Sequence, residues 1–280
     1  MERRVAFATG ASRGIGKAAC LALARKGFDI VVTARTVKEG EGHVAGPSSR
    51  DPREVGVPGS IEETARLIRA CGREALPIRL DLLDPSTIDP AVERTIDEWG
   101  RIDLLLNNGI YQGPGLMDHF LDLTIEHMHA IFAGNVFAQT LLTQKVLAHM
   151  LKRGGGIIIN MTSASARVDP PGPVGEGGWG FAYAASKAAF HRMAVLLHAE
   201  HRRDGIRAYN VDPGYTPTES MRALMGKQTD LDAAWGGISP EVTATAIAWL
   251  ATAPEAEELA GKTISSARLC SERGLIVGQV

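Results

Sequence analysis

Val5-Ala6-Phe7-Ala8 runs directly into Thr9-Gly10-Ala11-Ser12-Arg13-Gly14-Ile15-Gly16, and that turn runs into a stretch with apolar residues at Ile15, Ala18, Ala19, Leu21, Ala22 and Leu23. A short apolar run, a glycine-rich turn and a helical periodicity in that order read as a buried strand, a tight loop and a helix start. The combination makes a phosphate site. Glycines let the backbone turn sharply and approach a pyrophosphate, and the helix N-terminus offers free N–H groups and the positive end of its dipole. The spacing of Gly10, Gly14 and Gly16 is G-x3-G-x-G, which differs from the general dinucleotide fingerprint G-x-G-x-x-G.

The rest of the chain repeats the strand–helix rhythm. Strands are expected at 5–8, 30–33, 75–80, 102–106, 156–160 and 206–211, with helices at 15–26, 61–71, 86–99, 124–151 and 183–203. Short, almost wholly apolar strands alternating with helices imply an α/β fold of the Rossmann type: one doubly wound parallel sheet with helices on both faces. In such sheets ligands bind beyond the carboxyl ends of the strands, where strand order reverses. A single domain over 1–280 is expected. Two segments break the rhythm: 36–60 has five glycines and three prolines, and 167–180 has the same numbers in fourteen residues. Both read as loops, with disorder the competing reading. The first suggests a flap on the cofactor side, the second a wall or lid on the substrate side.

A formal net charge of −2 gives no electrostatic case for nucleic acid or an anionic membrane. Cys20, Cys71 and Cys270 are scattered and fit a reducing compartment. No apolar run reaches the length of a membrane span and no signal segment precedes the first strand, so a soluble, cytoplasmic protein is expected. The eight histidines form no metal-binding set, and solvated or interface positions are expected for them.

Seven elements occur in one order: Thr9 to Gly16, Asp81-Leu82, Asn107-Asn108-Gly109, Asn135, Ser163, Tyr183-x3-Lys187, and Pro213-Gly214 with Thr218. Together they resemble the short-chain dehydrogenase/reductase family, from about Arg4 to about Gly261. The resemblance implies a nicotinamide cofactor and four catalytic positions: Asn135, Ser163, Tyr183 and Lys187. It gives Ser163 the substrate carbonyl oxygen, Lys187 the nicotinamide ribose, and Asn135 a proton relay through water. It also implies that Gly10, Ser12, Gly14, Ile15 and Gly16 hold the cofactor, that Asp81 accepts from the adenine amino group beside the Leu82 backbone, and that Asn108 and Gly109 pack on the adenosine ribose. Pro213, Gly214, Thr216 and Thr218 would contact the nicotinamide end. This chain departs from the family's Asn-Asn-Ala-Gly at Asn107-Asn108-Gly109-Ile110, and from its glycine-rich ending at 269–274.

The residues themselves supply chemical reasons. Tyr183 and Lys187 stand four apart and share one helix face. A nearby ammonium lowers the pKa of a phenol, near 10 when unperturbed, and makes it a usable proton donor or acceptor. Gly134-Asn135 are two weak helix formers inside the 124–151 helix and suggest a kink that admits water, with a polar helix–helix contact as the alternative. The second strand ends in Thr33-Ala34-Arg35, with alanine where NAD-binding folds carry a carboxylate. Arg35 and Arg13 can pair with a 2′-phosphate, which points to NADP(H) over NAD(H). Asp84, before Pro85, reads as a cap.

The expected reaction is hydride transfer between the nicotinamide and a carbonyl or alcohol. A non-catalytic NADP-binding scaffold on the same fold is the alternative. The four-residue tyrosine–lysine spacing counts against an enoyl reductase. Tyr111, Met117, Phe120, Trp179, Phe181, Tyr215, Met221, Met225 and Trp235 lie in the variable segments and suggest a lipophilic ketone rather than a sugar, unless they only pack loops. Glu39, Glu41 and Arg50 read as solvated charges. The helices at 124–151 and 183–203 have apolar residues on more than one face, consistent with a homodimer or homotetramer. A last strand is expected at 263–266 or 275–277.

Overall fold

The computed structural model describes residues 3–225 and 236–275. Its centre is a seven-stranded parallel sheet in the order β5-β2-β1-β6-β7-β8-β9. The strands are β1 (Arg4–Thr9), β2 (Phe28–Ala34), β5 (Ala75–Arg79), β6 (Leu104–Asn107), β7 (Gly156–Met161), β8 (Ile206–Asp212) and β9 (Thr263–Ser265). The last of these takes the first of the two expected positions; residues 276 and 277 of the other lie outside the described residues.

Alternation along the strands fills two cores. Ala6, Ala8, Ile30, Val32, Leu104, Leu106, Ile157, Ile159 and Val211 face one side. Val5, Phe7, Val31, Leu105, Ile158 and Ala208 face the other. Both sets are almost fully buried, as expected for a parallel sheet covered on both faces. Helices α1 (Gly14–Arg25), α2 (Ile61–Ala70), α8 (Pro240–Thr252) and α9 (Ser266–Glu272) cover the first face; α3 (Ile88–Trp99), α5 (Ala138–Lys152) and α6 (Phe181–His201) cover the second. The sequence reading gives no helix at α8, although Ser239-Pro240 is a start signal: the Ser239 hydroxyl accepts from the Glu241 N–H.

Two expectations are corrected. Segment 36–60 is not plain loop: β3 (His43–Ala45) and β4 (Glu54–Gly56) pair as a small antiparallel hairpin. Three-residue strands are too short to show alternation, and side-chain ties described below hold them. The expected 124–151 helix is two helices, α4 (Ile125–Phe132) and α5, joined by a π-helical turn over Ala133–Phe137. The break falls on Gly134-Asn135, the weakest helix formers of the stretch.

Strand order reverses between β1 and β6. The glycine turn leaves one and Asn107-Asn108-Gly109 leaves the other, so both arrive at the switch point. Asn108 stitches them together: its Nδ2 donates to Thr9 O (3.0 Å) and Gly10 O (3.1 Å). Gly10 and Gly14 have φ of +63° and +53°. Gly16 is required by close approach, since a Cβ there would lie 2.2 Å from Gly10 O and 2.6 Å from Asn108 Nδ2. Gly16→Ala is expected to destabilise the protein by about 2 kcal/mol through overpacking, read as a lower urea midpoint.

Candidate active site

A cleft of about 820 Å³ runs over the carboxyl ends of β1, β2, β6, β7 and β8. Its lining includes the glycine turn, Arg35, Asp81 and Leu82 toward β2 and β5, and Ser163, Tyr183 and Lys187 toward β7 and α6. Asn108, Gly109, Pro213, Gly214, Thr216 and Thr218 line it as well, so every expected cofactor-side residue reaches one cavity. The size suits a ligand site.

At the glycine turn, Arg13 is the N-cap of α1 and makes no side-chain cap, which leaves the first-turn N–H groups open to an anion. Its guanidinium turns away instead. Nε donates to Pro58 O (2.8 Å), and Nη2 to Gly59 O (3.0 Å) and Thr36 Oγ1 (3.2 Å). Arg13 therefore tethers segment 36–60, and of the expected phosphate pair only Arg35 stands exposed in the cleft lining with its guanidinium unengaged by a described side chain. Asp29, at the start of β2, pairs with Arg3 (3.1 Å) and Arg73 (2.7 Å) far from that end. Asp81 turns its carboxylate onto the Leu83 N–H (3.0 Å), and Asp84 caps the following turn through the Ser86 N–H (3.1 Å).

At the other end, α6 carries Tyr183, Lys187 and His191 on one stripe. Lys187 is 3% exposed, and its ammonium donates to Met161 O at 2.9 Å. Burial pushes its pKa down to about 8, against the pull of the Asp212 carboxylate. Burial also raises the Tyr183 pKa, as does Asp212, while the Ser163 and Ser165 hydroxyls lower it. The expected net lowering is not found: burial and Asp212 leave the Tyr183 pKa raised, the two hydroxyls offset only part of that rise, and the Lys187 ammonium is turned to Met161 O. Ser165 donates from both N–H (3.3 Å) and hydroxyl (3.0 Å) to Ser163 Oγ, which leaves the Ser163 hydrogen for the Tyr183 phenol at the cleft.

Asn135 is 2% exposed. Its Oδ1 accepts from the Tyr111 N–H (2.8 Å), and its Nδ2 donates to Ser186 Oγ (3.1 Å). The side chain makes the helix–helix contact, while the π turn loosens the backbone beside it.

The sequence reading misses Asp212, directly before Pro213-Gly214. It lines the cleft, accepts from the Gly214 N–H (3.1 Å) and pairs with Arg167 at 3.2 Å, fastening the 167–180 segment to β8. It also misses a buried polar row: Asn107, Asn160 and Asn210 share one register across β6, β7 and β8, with Asn107 Nδ2 donating to Asn160 Oδ1 (3.0 Å). His191 is not solvated. Its Nδ1 meets Thr162 Oγ1 (2.9 Å) and its Nε2 meets Thr263 Oγ1 (3.2 Å), so it joins β7 to β9.

Of the variable-segment residues, Tyr111, Met117, Trp179, Tyr215 and Met221 line the cleft. Phe120 and Phe181 do not: they stack edge to face, 5.3 Å apart, and are 69% and 46% exposed. Trp235 and the Met225 side chain lie outside the described residues. Among the described residues no cluster could hold a metal ion, and no helix is long and apolar enough to cross a membrane.

A family profile described as short chain dehydrogenase matches residues 4–55 and 55–229. The chain belongs to the short-chain dehydrogenase/reductase family. It is therefore related to a family of oxidoreductases built on nucleotide-binding Rossmann-type folds. A 3-oxoacyl-[acyl-carrier-protein] reductase of Synechocystis sp. is 30% identical over 268 residues, covering 95% of this chain and 96% of that protein. Among solved structures, a short-chain type dehydrogenase/reductase from Mycobacterium marinum superposes with a TM-score of 0.73 at 28% identity, covering 94% of this chain and 93% of the other. A short chain dehydrogenase from Mycobacterium paratuberculosis bound to NAD has the same fold, with a TM-score of 0.73 at 24% identity and coverage of 95% and 98%.

Proposed function

We propose that this short-chain dehydrogenase/reductase is NADP(H)-dependent and interconverts a lipophilic ketone and its secondary alcohol. The observation that carries the reading is the continuity of one cleft from an open α1 N-terminus to the Tyr183 phenol, with the Ser163 and Ser165 hydroxyls on that phenol. The cleft fits a dinucleotide. Gly10, Ser12, Gly14, Ile15 and Gly16 offer backbone N–H groups to a pyrophosphate. Asp81, Leu82, Asn108 and Gly109 would hold the adenosine, and Pro213, Gly214, Thr216 and Thr218 the nicotinamide end.

The bound dinucleotide supplies the hydride. In reduction Tyr183 gives its phenolic proton to the carbonyl oxygen, and the Ser163 hydroxyl beside that phenol orients the same oxygen. The Lys187 ammonium holds the ribose hydroxyls and passes a proton on toward the phenol, resupplied through the backbone opened beside Asn135. Cleft-lining Tyr111, Met117, Trp179, Tyr215 and Met221 favour an apolar substrate. The protein acts in the cytoplasm as a single domain, assembled as a homodimer or homotetramer through α4, α5, the π turn between them and α6, where Phe137 of the turn and Leu196 of α6 are 63% and 54% exposed.

The NADP(H) preference rests on Arg35 and on the alanine before it. A guanidinium gains charge-assisted hydrogen bonds to a 2′-phosphate, and a carboxylate at Ala34 would repel it. Arg35→Asp is expected to weaken NADPH binding by roughly 10- to 100-fold and to strengthen NADH binding, measured by quenching of intrinsic fluorescence. Equal affinities of the native protein for both nucleotides, unchanged in the variant, would contradict the preference.

A further inference from the structure

Segment 36–60 does more than follow the second strand. Among the described residues none between 37 and 60 lines the cleft, so the segment acts on the site only through what it holds. It holds three things. At its base, Arg13 gathers Thr36, Pro58 and Gly59, and Glu39 accepts from the Gly59 N–H (2.9 Å) while Glu41 accepts from the Lys38 N–H (2.9 Å). Glu39 and Glu41 are exposed, as expected of solvated charges, and also brace the base of the segment.

At its tip it grips the chain that follows β6. The Met117 N–H donates to Pro47 O (2.8 Å). Asp118, 2% exposed, accepts from Ser48 Oγ (2.6 Å) and the Ser49 N–H (2.8 Å). Arg50 pairs with Asp122 at 2.5 Å. On its other edge the hairpin packs against α7 (Glu219–Met225), and Arg53 Nη1 donates to Leu224 O (2.8 Å). The two gripped segments bring Met117 and Met221, respectively, to the cleft.

We propose that the 36–60 insertion is a substrate-specificity clamp: by tying Met117 through Asp118 to the same hairpin that holds α7, it fixes the opening between Met117 and Met221. Ser48, Arg53 and Asp118 are positioning residues that touch no reacting atom. The proposal rests on the ketone-reductase reading for its substrate, while the clamp itself rests on the contacts alone. A clamped opening discriminates by bulk, and a difference of a methylene or more against a fixed apolar wall is worth roughly 10- to 200-fold in kcat/KM.

The test uses the full chain with Ser48→Ala, Arg53→Ala and the double variant, all at partly exposed or exposed positions, with Arg53→Lys as a variant that keeps a donor for Leu224 O. Three quantities are read: amide hydrogen exchange at Met117 and across 219–225, the ratio of kcat/KM for a bulky aryl ketone to that for a small aliphatic ketone, and NADPH affinity. The clamp predicts faster exchange in both segments, a ratio raised by about tenfold in the double variant, NADPH affinity unchanged, and rescue by Arg53→Lys. Unchanged exchange overturns the clamp. Faster exchange with an unchanged ratio overturns its role in specificity, and weaker NADPH binding with an unchanged ratio makes the insertion a cofactor flap instead. A native protein that reduces none of the ketones overturns the reductase reading and the specificity role with it, while exchange still reports whether the clamp exists.

Discussion

Tyr183→Phe lowers kcat for ketone reduction by about 10³ and leaves NADPH affinity within a factor of about two. General acids contribute roughly 10² to 10⁴ to a rate, and the serines and the lysine beside the phenol do not replace it. Ser163 and Ser165 are hydroxyls with much higher pKa values, and Lys187 is turned to Met161 O. The substitution keeps the ring and its packing against Leu116, Ile131 and Ala182, so the fold is retained. Steady-state rates with nucleotide fluorescence separate the two effects. A parallel loss of kcat and NADPH affinity would mean that Tyr183 serves binding and not proton transfer.

Lys187→Met abolishes activity and stabilises the protein measured without added nucleotide. A buried ammonium whose pKa falls from 10.5 to about 8 is disfavoured in its charged form by about 3 kcal/mol. Losing the charge-assisted hydrogen bond to Met161 O takes back about 2 kcal/mol, so a net gain of about 1 kcal/mol is expected at pH 7. The sign follows from proton uptake. The unfolded lysine holds its proton up to about 10.5 and the folded one only to about 8, so the penalty is complete below pH 8 and disappears between 8 and 10.5. The stabilisation by Lys187→Met therefore shrinks over that window. Paired urea titrations at pH 7 and pH 10 measure it. A variant less stable than the native protein at pH 7 would contradict the burial penalty. The same group makes kcat/KM for reduction in the native enzyme fall as pH rises through about 8, because the ammonium that resupplies the proton given up by Tyr183 is lost.

What the sequence discloses are the features that repeat or keep fixed spacing. The strand–turn–helix around Gly10, Gly14 and Gly16 is legible because only glycine meets its close approaches, and Tyr183 and Lys187 are legible because four residues make one helical turn. The π turn at Gly134-Asn135 shows as two weak helix formers in succession. Contacts between distant residues carry no such mark. Nothing local to Ser48 says that it will meet Asp118, and the hairpin of β3 and β4 exists through ties of that kind. Arg13 sits in the turn as if to meet a phosphate, yet three oxygen acceptors at Thr36, Pro58 and Gly59 claim it. Asp212 looks like an ordinary strand-end aspartate, and only the fold brings Arg167 and the Tyr183–Lys187 stripe around it. Its signal was a carboxylate immediately before a turn that lines the cleft.

The central claim is that hydride transfer from NADPH is coupled to a proton from Tyr183. The most direct measurement is single-turnover reduction of a lipophilic aryl ketone with NADPH carrying deuterium at nicotinamide C4, with the product examined by mass spectrometry. The account predicts one deuterium on the carbinol carbon from one C4 face only, far less product with NADH, and about 10³ slower labelling in Tyr183→Phe at saturating NADPH. Labelled alcohol formed at the native rate by Tyr183→Phe, or NADPH bound tightly with no deuterium passed to any ketone, would contradict it.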